Sequence, residues 1–157
     1  MKDKLHDYAL FAEIVGAIGV VISLIYVGIG VRQNTEAVRV ANHQALVAMD
    51  MEKNAWFRNA DFAATYVLAQ DGIEKLSPVQ LRQYSTFVAD TLNAWEFAYI
   101  THKNGAMDEN IWKGWDGFYR SELATRPFQW FWHGNRLTFS PEFREYVDSQ
   151  LAKAGGT

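Results

Sequence analysis

The chain has 157 residues, a formal net charge of −3, six tryptophans and no cysteine. That length holds one apolar segment and a single domain of about 120 residues, an ordinary domain size. The acidic balance gives no basic footprint for nucleic acid, and the absence of cysteine removes disulfides and thiolate zinc sites.

The first element is the stretch IVGAIGVVISLIYVGIGV from Ile14 to Val31. It runs about 18 residues without a charge, enough at ~1.5 Å per residue to cross most of a bilayer's hydrocarbon. A helix apolar all round must be enclosed on every side, by protein or by lipid. Enclosure by protein requires roughly six neighbouring helices at ~8–10 Å, more than the rest of the chain can supply. Polar flanks agree with lipid: Lys2, Asp3, Lys4, His6 and Asp7 precede the segment, and Arg32, Asn34, Glu36 and Arg39 follow it. Tyr8 and Tyr26 would stand about 27 Å apart on a helix, suited to the two interfacial belts. A cleaved secretory signal fits less well, since its apolar region runs only ~7–15 residues and no small-x-small site follows. Residues 1–31 are therefore expected to form an N-terminal tail and a transmembrane or signal-anchor helix.

Small residues mark one stripe of this helix. Ala9, Ala12, Gly16, Gly19, Ser23 and Gly30 fall at alternating spacings of helical type, with Tyr26 completing the series. In lipid, helices associate through close backbone approach, which such residues permit, although Gly and Ala are also simply common in membrane helices. Glu13 flanks the stripe. Near a helix N-terminus a carboxylate is favoured by the dipole, so it reads as part of the same interface rather than of an ion pathway. The flanking positive charges tie in number. Arg32 abuts the apolar core more closely than Lys2 or Lys4, which leans towards a cytoplasmic C-terminal domain.

Helical spacing continues beyond Arg32 through Val38, Ala41, Ala45, Ala48 and Met49, with no Gly or Pro from Val31 to Asn59. Asn59 caps a short helix through Phe62, Tyr66 and Leu68, stopped at Asp71-Gly72. Ser77-Pro78 opens the clearest helix, Pro78 to Lys103, with a core face of Leu81, Tyr84, Val88, Leu92, Trp95 and Tyr99, closed by Asn104-Gly105. Asp108 caps a helix through Ile111, Trp112, Trp115, Phe118, Tyr119 and Leu123. Arg126-Pro127 starts a short aromatic helix ending at His133-Gly134. Ser140-Pro141 starts the last, with Phe143, Tyr146, Val147 and Leu151. Strand signals are nearly absent. The expected fold is all-α: the N-terminal anchor helix continues into a small bundle of about five further helices, residues 32–157.

The segments SLIYVGIGVRQNTEAVR (Ser23 to Arg39), AWEFAYITHKNGAMDENIW (Ala94 to Trp112) and SPEFREYVD (Ser140 to Asp148) carry a resemblance over nearly the whole chain. The chain resembles an uncharacterised family of short bacterial single-pass membrane proteins, with an apolar N-terminal helix ending in a LIY…RQNT-type segment and a small helical C-terminal domain. The resemblance implies an inner-membrane location and this fold. It transfers no activity and no catalytic residue.

Chemistry is sparse in the sequence. The histidines His6, His43, His102 and His133 belong to no H-E-x-x-H motif and no Glu-x-x-His pair. A metal shared by His43, Glu52, Glu96 and His102 would need facing helices, and His102 with Lys103 more simply favours a helix C-terminus. No catalytic residue, metal or cofactor is assigned. Glu96 sits mid-helix among Trp95, Tyr99 and Trp112, and these four form a candidate pocket if the carboxylate is buried beside Arg82, Arg120, Arg126 or Arg136. A structural ion pair is the plainer expectation. Trp130, Phe131 and Trp132 are consecutive bulky aromatics that one helix face cannot all bury, so at least one should face solvent, a membrane surface or a partner. The expected function is that of a membrane-anchored interaction or accessory protein, not an enzyme, whose partners are the bilayer and a membrane protein or its own copy. The alternative is a tethered ligand sensor or enzyme domain built around Glu96.

Overall fold

The computed structural model describes the backbone from Lys2 to Gly155 and the side chains from Phe11 to Ala154. The fold is all-α: the described residues form six helices and no strand. These are α1 (Lys2–Ala55), α2 (Ala60–Asp71), α3 (Pro78–Lys103), α4 (Glu109–Leu123), α5 (Arg126–Asn135) and α6 (Pro141–Gly155). Short 3₁₀ turns lie at Trp56–Arg58, Ile73–Lys75 and Arg136–Thr138. The chain divides into two compact units, Met1–Val38 and Arg39–Thr157. This division falls later than the boundary expected after Val31, because every side chain from Arg32 to Val38 is exposed.

In the first unit, every described side chain is exposed. Ile14, Ile18, Ile22, Ile25 and Ile29 each show half or more of their surface. α1 contains a stretch long and apolar enough to cross a membrane, and none of that stretch is buried in protein.

The second unit is organised around α3, which packs against α2, α4, α5 and α6. Its ends are encoded locally. Ser77 accepts from the Gln80 N–H while the Gln80 side chain accepts from the Ser77 N–H, a capping box completed by Pro78 in the first turn. At the other end the Gly105 N–H donates to His102 O and the Ala106 N–H to Thr101 O. This Schellman closure requires the left-handed backbone of Gly105, at φ 71°. Asn59 and Asp108 cap α2 and α4, each side chain accepting two backbone N–H groups.

The expected core face of α3 is too narrow. Tyr84, Val88, Leu92 and Trp95 are buried, and so are Phe87, Thr91, Ala94, Ala98 and Thr101, as a helix with neighbours on most sides demands. α5 runs through Gly134 to Asn135 instead of stopping at the glycine, because the Asn135 side chain donates back to Phe131 O at 2.9 Å and holds the final turn.

The part of α1 inside this unit presents a different face from the one its small apolar residues mark. Ala41, Ala48 and Met49 are exposed, whereas Leu46 and Lys53 are buried. The inward face is held by polar contacts: Arg39 Nε donates to Gly105 O and Asn42 Nδ2 to Ala106 O, both at 3.1 Å. Two carbonyls of the α3–α4 turn thereby receive donors.

Candidate functional site

The expected helix interface is open in this structure. Ala12, Glu13, Gly16, Gly19, Ser23 and Gly30 are all exposed. A Cβ added at Gly16, Gly19 or Gly30 would meet no atom within 4 Å. Among the described residues, the small-residue stripe is therefore exposed and leaves room for close approach by another helix. Ala9 also belongs to the stripe, but its side chain lies outside the described residues.

The three consecutive aromatics of α5 have separate fates. Trp132 is fully buried, its indole N–H donating to Asp148 at 2.9 Å and its ring packed on Phe139 and Phe143. Phe131 is buried beside it, while Trp130 is 45% exposed. Trp130 forms a wall of two clefts. One, of about 580 Å³, runs between α3 and α5 past Leu81, Arg82 and Ala89. The other, of about 220 Å³, lies by Gly72, Glu74 and Arg126.

The three aromatic residues expected to line a pocket with Glu96 each pack against another ring. Trp95 is fully buried, stacked on Tyr119 at 5.8 Å, and Tyr99 stacks on Tyr146 at 4.8 Å. Trp112 lies flat against His102 at 4.8 Å, and that histidine pairs with Glu109 at 2.8 Å. The His102 bond holds the Glu109 carboxyl below its ordinary range. Glu96 itself is half-buried and accepts the Ser140 N–H at 2.7 Å, so its carboxylate caps the start of α6. Two of the arginines considered for it are engaged elsewhere: Arg120 pairs with Asp116 and Arg136 with Asp148.

The polar centre of the bundle is a residue that the sequence reading passes over. Asp116, only 6% exposed, accepts from the Trp95 indole at 3.1 Å and from the Tyr146 hydroxyl, and pairs with Arg120 at 2.9 Å. Burial, followed by the bond to Asp116, pushes the Tyr146 phenol well above its ordinary value. The available signal was positional: Asp116 stands four residues after Trp112 and three before Tyr119, on the aromatic face of α4.

A second buried charge, Lys53, pairs with Asp50 at 2.9 Å and sits 4.5 Å over the Phe118 ring. Nearby, the Tyr66 hydroxyl donates to Glu122 at 3.4 Å, and burial together with that carboxylate raises its pKa to about 12. Each of these groups is paired with another group of the same bundle, so the polar contacts form a connected network. Among the described residues, no group of three or more His, Cys, Asp or Glu side chains is placed to hold a metal ion. Fold and sites together define an all-α helical bundle whose chain also carries one exposed, membrane-length apolar helix. Comparison with protein-family models, with curated proteins and with solved structures gives no match.

Proposed function

We propose that this is a single-pass, inner-membrane-anchored interaction protein, with its helical domain on the cytoplasmic side and no catalytic role. The observation that carries the reading is the exposure of the apolar helix. From Phe11 to Val31 its large apolar side chains are 51–78% exposed. Each would gain about 1.5–3 kcal/mol on leaving water, and contiguous apolar surface of this extent is not left bare on soluble monomers. Lipid is the enclosure that suits a helix apolar on all sides.

An interaction role is favoured over catalysis by how the polar groups are used. Glu96 is committed to capping α6, and Asp116 and Lys53 are neutralised within the bundle. The features left outward-facing are the small-residue stripe around Gly16 and Gly19, suited to a membrane partner or a second copy, and the rim at Trp130. Alkaline carbonate extraction of membranes containing the full chain tests the anchor. The protein is expected to stay in the pellet, and replacing Ile18 and Ile22 by lysine should move it to the supernatant. Release of the unsubstituted chain would reject the reading.

A further inference from the structure

We infer that the groove between α3 and α5 is a docking site for a short acidic peptide segment of a partner protein, with an apolar side chain laid against Trp130 and a carboxylate on Arg82. The inference rests on the interaction role proposed above and supplies the chemistry of the partner. The α3 wall runs from Pro78 to Ala89, about 16 Å along the helix axis, and Trp130 stands on the opposite side. An extended chain covers that length in about five residues.

Charge decides which segment fits. Among the described residues, Arg82 is the only charged one lining this groove. Its side chain is exposed and, among the described residues, its guanidinium takes part in no ion pair or hydrogen bond; its backbone carbonyl accepts from Thr86. This contrasts with Arg120 and Arg136, which are each held by an aspartate of the bundle. An unpaired guanidinium offers fork-shaped donors that match a carboxylate, and a half-exposed indole offers an apolar anchor with a polar edge. The remaining lining is neutral, including Leu81, Ser85 and Ala89, so nothing in the groove offsets the attraction for an anion. The cleft on the other side of Trp130 carries Asp71 and Glu74 as well as Arg126 and so selects no sign of charge.

The test uses the full chain in mild detergent and fluorescein-labelled peptides of about eight residues. These pair leucine and phenylalanine with glutamate, or with glutamine or lysine in place of glutamate. Fluorescence polarisation should show saturable binding of the glutamate peptide, at least about tenfold tighter than the glutamine form, and weakest binding of the lysine form. Arg82→Glu should reverse that order without changing the melting temperature, since Arg82 is exposed and unpaired. Trp130→Phe should weaken binding of the glutamate peptide while leaving the preference for it. Equal binding of all three peptides, no saturation by any of them, or an order unchanged by Arg82→Glu would each overturn the inference. Binding is read in detergent, so its failure leaves the carbonate-extraction result standing, and failure of extraction leaves the peptide result standing.

Discussion

Asp116 concentrates more of the bundle's polar energetics than any residue near it. Its carboxylate is buried, and its acceptor sites are occupied by an indole, a phenol and a guanidinium from three other positions. In Asp116→Ala the fully buried Trp95 N–H loses its acceptor, and Arg120 loses its counter-charge. An unsatisfied buried donor costs about 1–3 kcal/mol, so the combined loss should be on the order of 3 kcal/mol, measurable by urea denaturation. Trp95→Phe on its own should cost less, because it removes the donor along with the need for an acceptor. The tyrosines give a second prediction at this scale. Tyr66 is raised to about 12 from an ordinary 10.0, and Tyr84, Tyr119 and Tyr146 are raised by burial in the same direction. In each case the unfolded chain gives up its phenolic proton first. The stability these groups confer is therefore complete below about pH 10 and falls as pH rises from there through the folded values. Absorbance titration of tyrosinate should show delayed ionisation followed by unfolding, and simple titration near pH 10 with the fold retained would contradict it. The central polar role of Asp116 was not legible in the sequence. Periodicity locates an aspartate on a helix face four residues before Arg120, but the indole and phenol donors that converge on it come from α3 and α6, which no local pattern registers.

At the scale of elements, local signals and tertiary contacts divide the fold between them. Helix ends were legible where a single side chain or glycine closes them. Asn59, Ser77-Pro78, Asp108 and Gly105 all cap or terminate helices at the expected places, because capping acts over a few residues. The inward face of α1 was not legible, because it is chosen by distant partners. Small apolar residues at helical spacing point to Val38, Ala41 and Met49, yet the helix turns Arg39, Asn42 and Leu46 towards the bundle. Those two polar side chains donate to the turn carbonyls left where α3 ends. The double variant Arg39→Ala/Asn42→Ala should therefore loosen this segment first. Each lost bond is worth about 0.5–1.5 kcal/mol. Amide hydrogen exchange should accelerate around Arg39–Leu46 and at the Gly105 turn, with the central part of α3 unchanged. Uniform acceleration across the whole bundle would show instead that these bonds support global stability.

At the scale of the whole molecule, the division at Val38/Arg39 makes a sharp prediction about what each unit needs. All the buried apolar residues of the described chain, from Leu46 to Val147, belong to the second unit. So do its capped helix ends and both of its tryptophan–aspartate bonds. The first unit buries none of its described side chains. A fragment beginning at Arg39 has about 120 residues, within the range that folds as a single cooperative domain. It should be monomeric without detergent and melt in one transition within a few degrees of the full chain's bundle. The full chain should require detergent or lipid, because its exposed apolar helix has nothing else to cover it. Calorimetry and sedimentation on the two proteins check both halves of the prediction. A fragment that is soluble but lacks a cooperative transition would mean that the first unit contributes to folding. A full chain that stays monodisperse without detergent would mean that the apolar helix finds cover in protein rather than lipid.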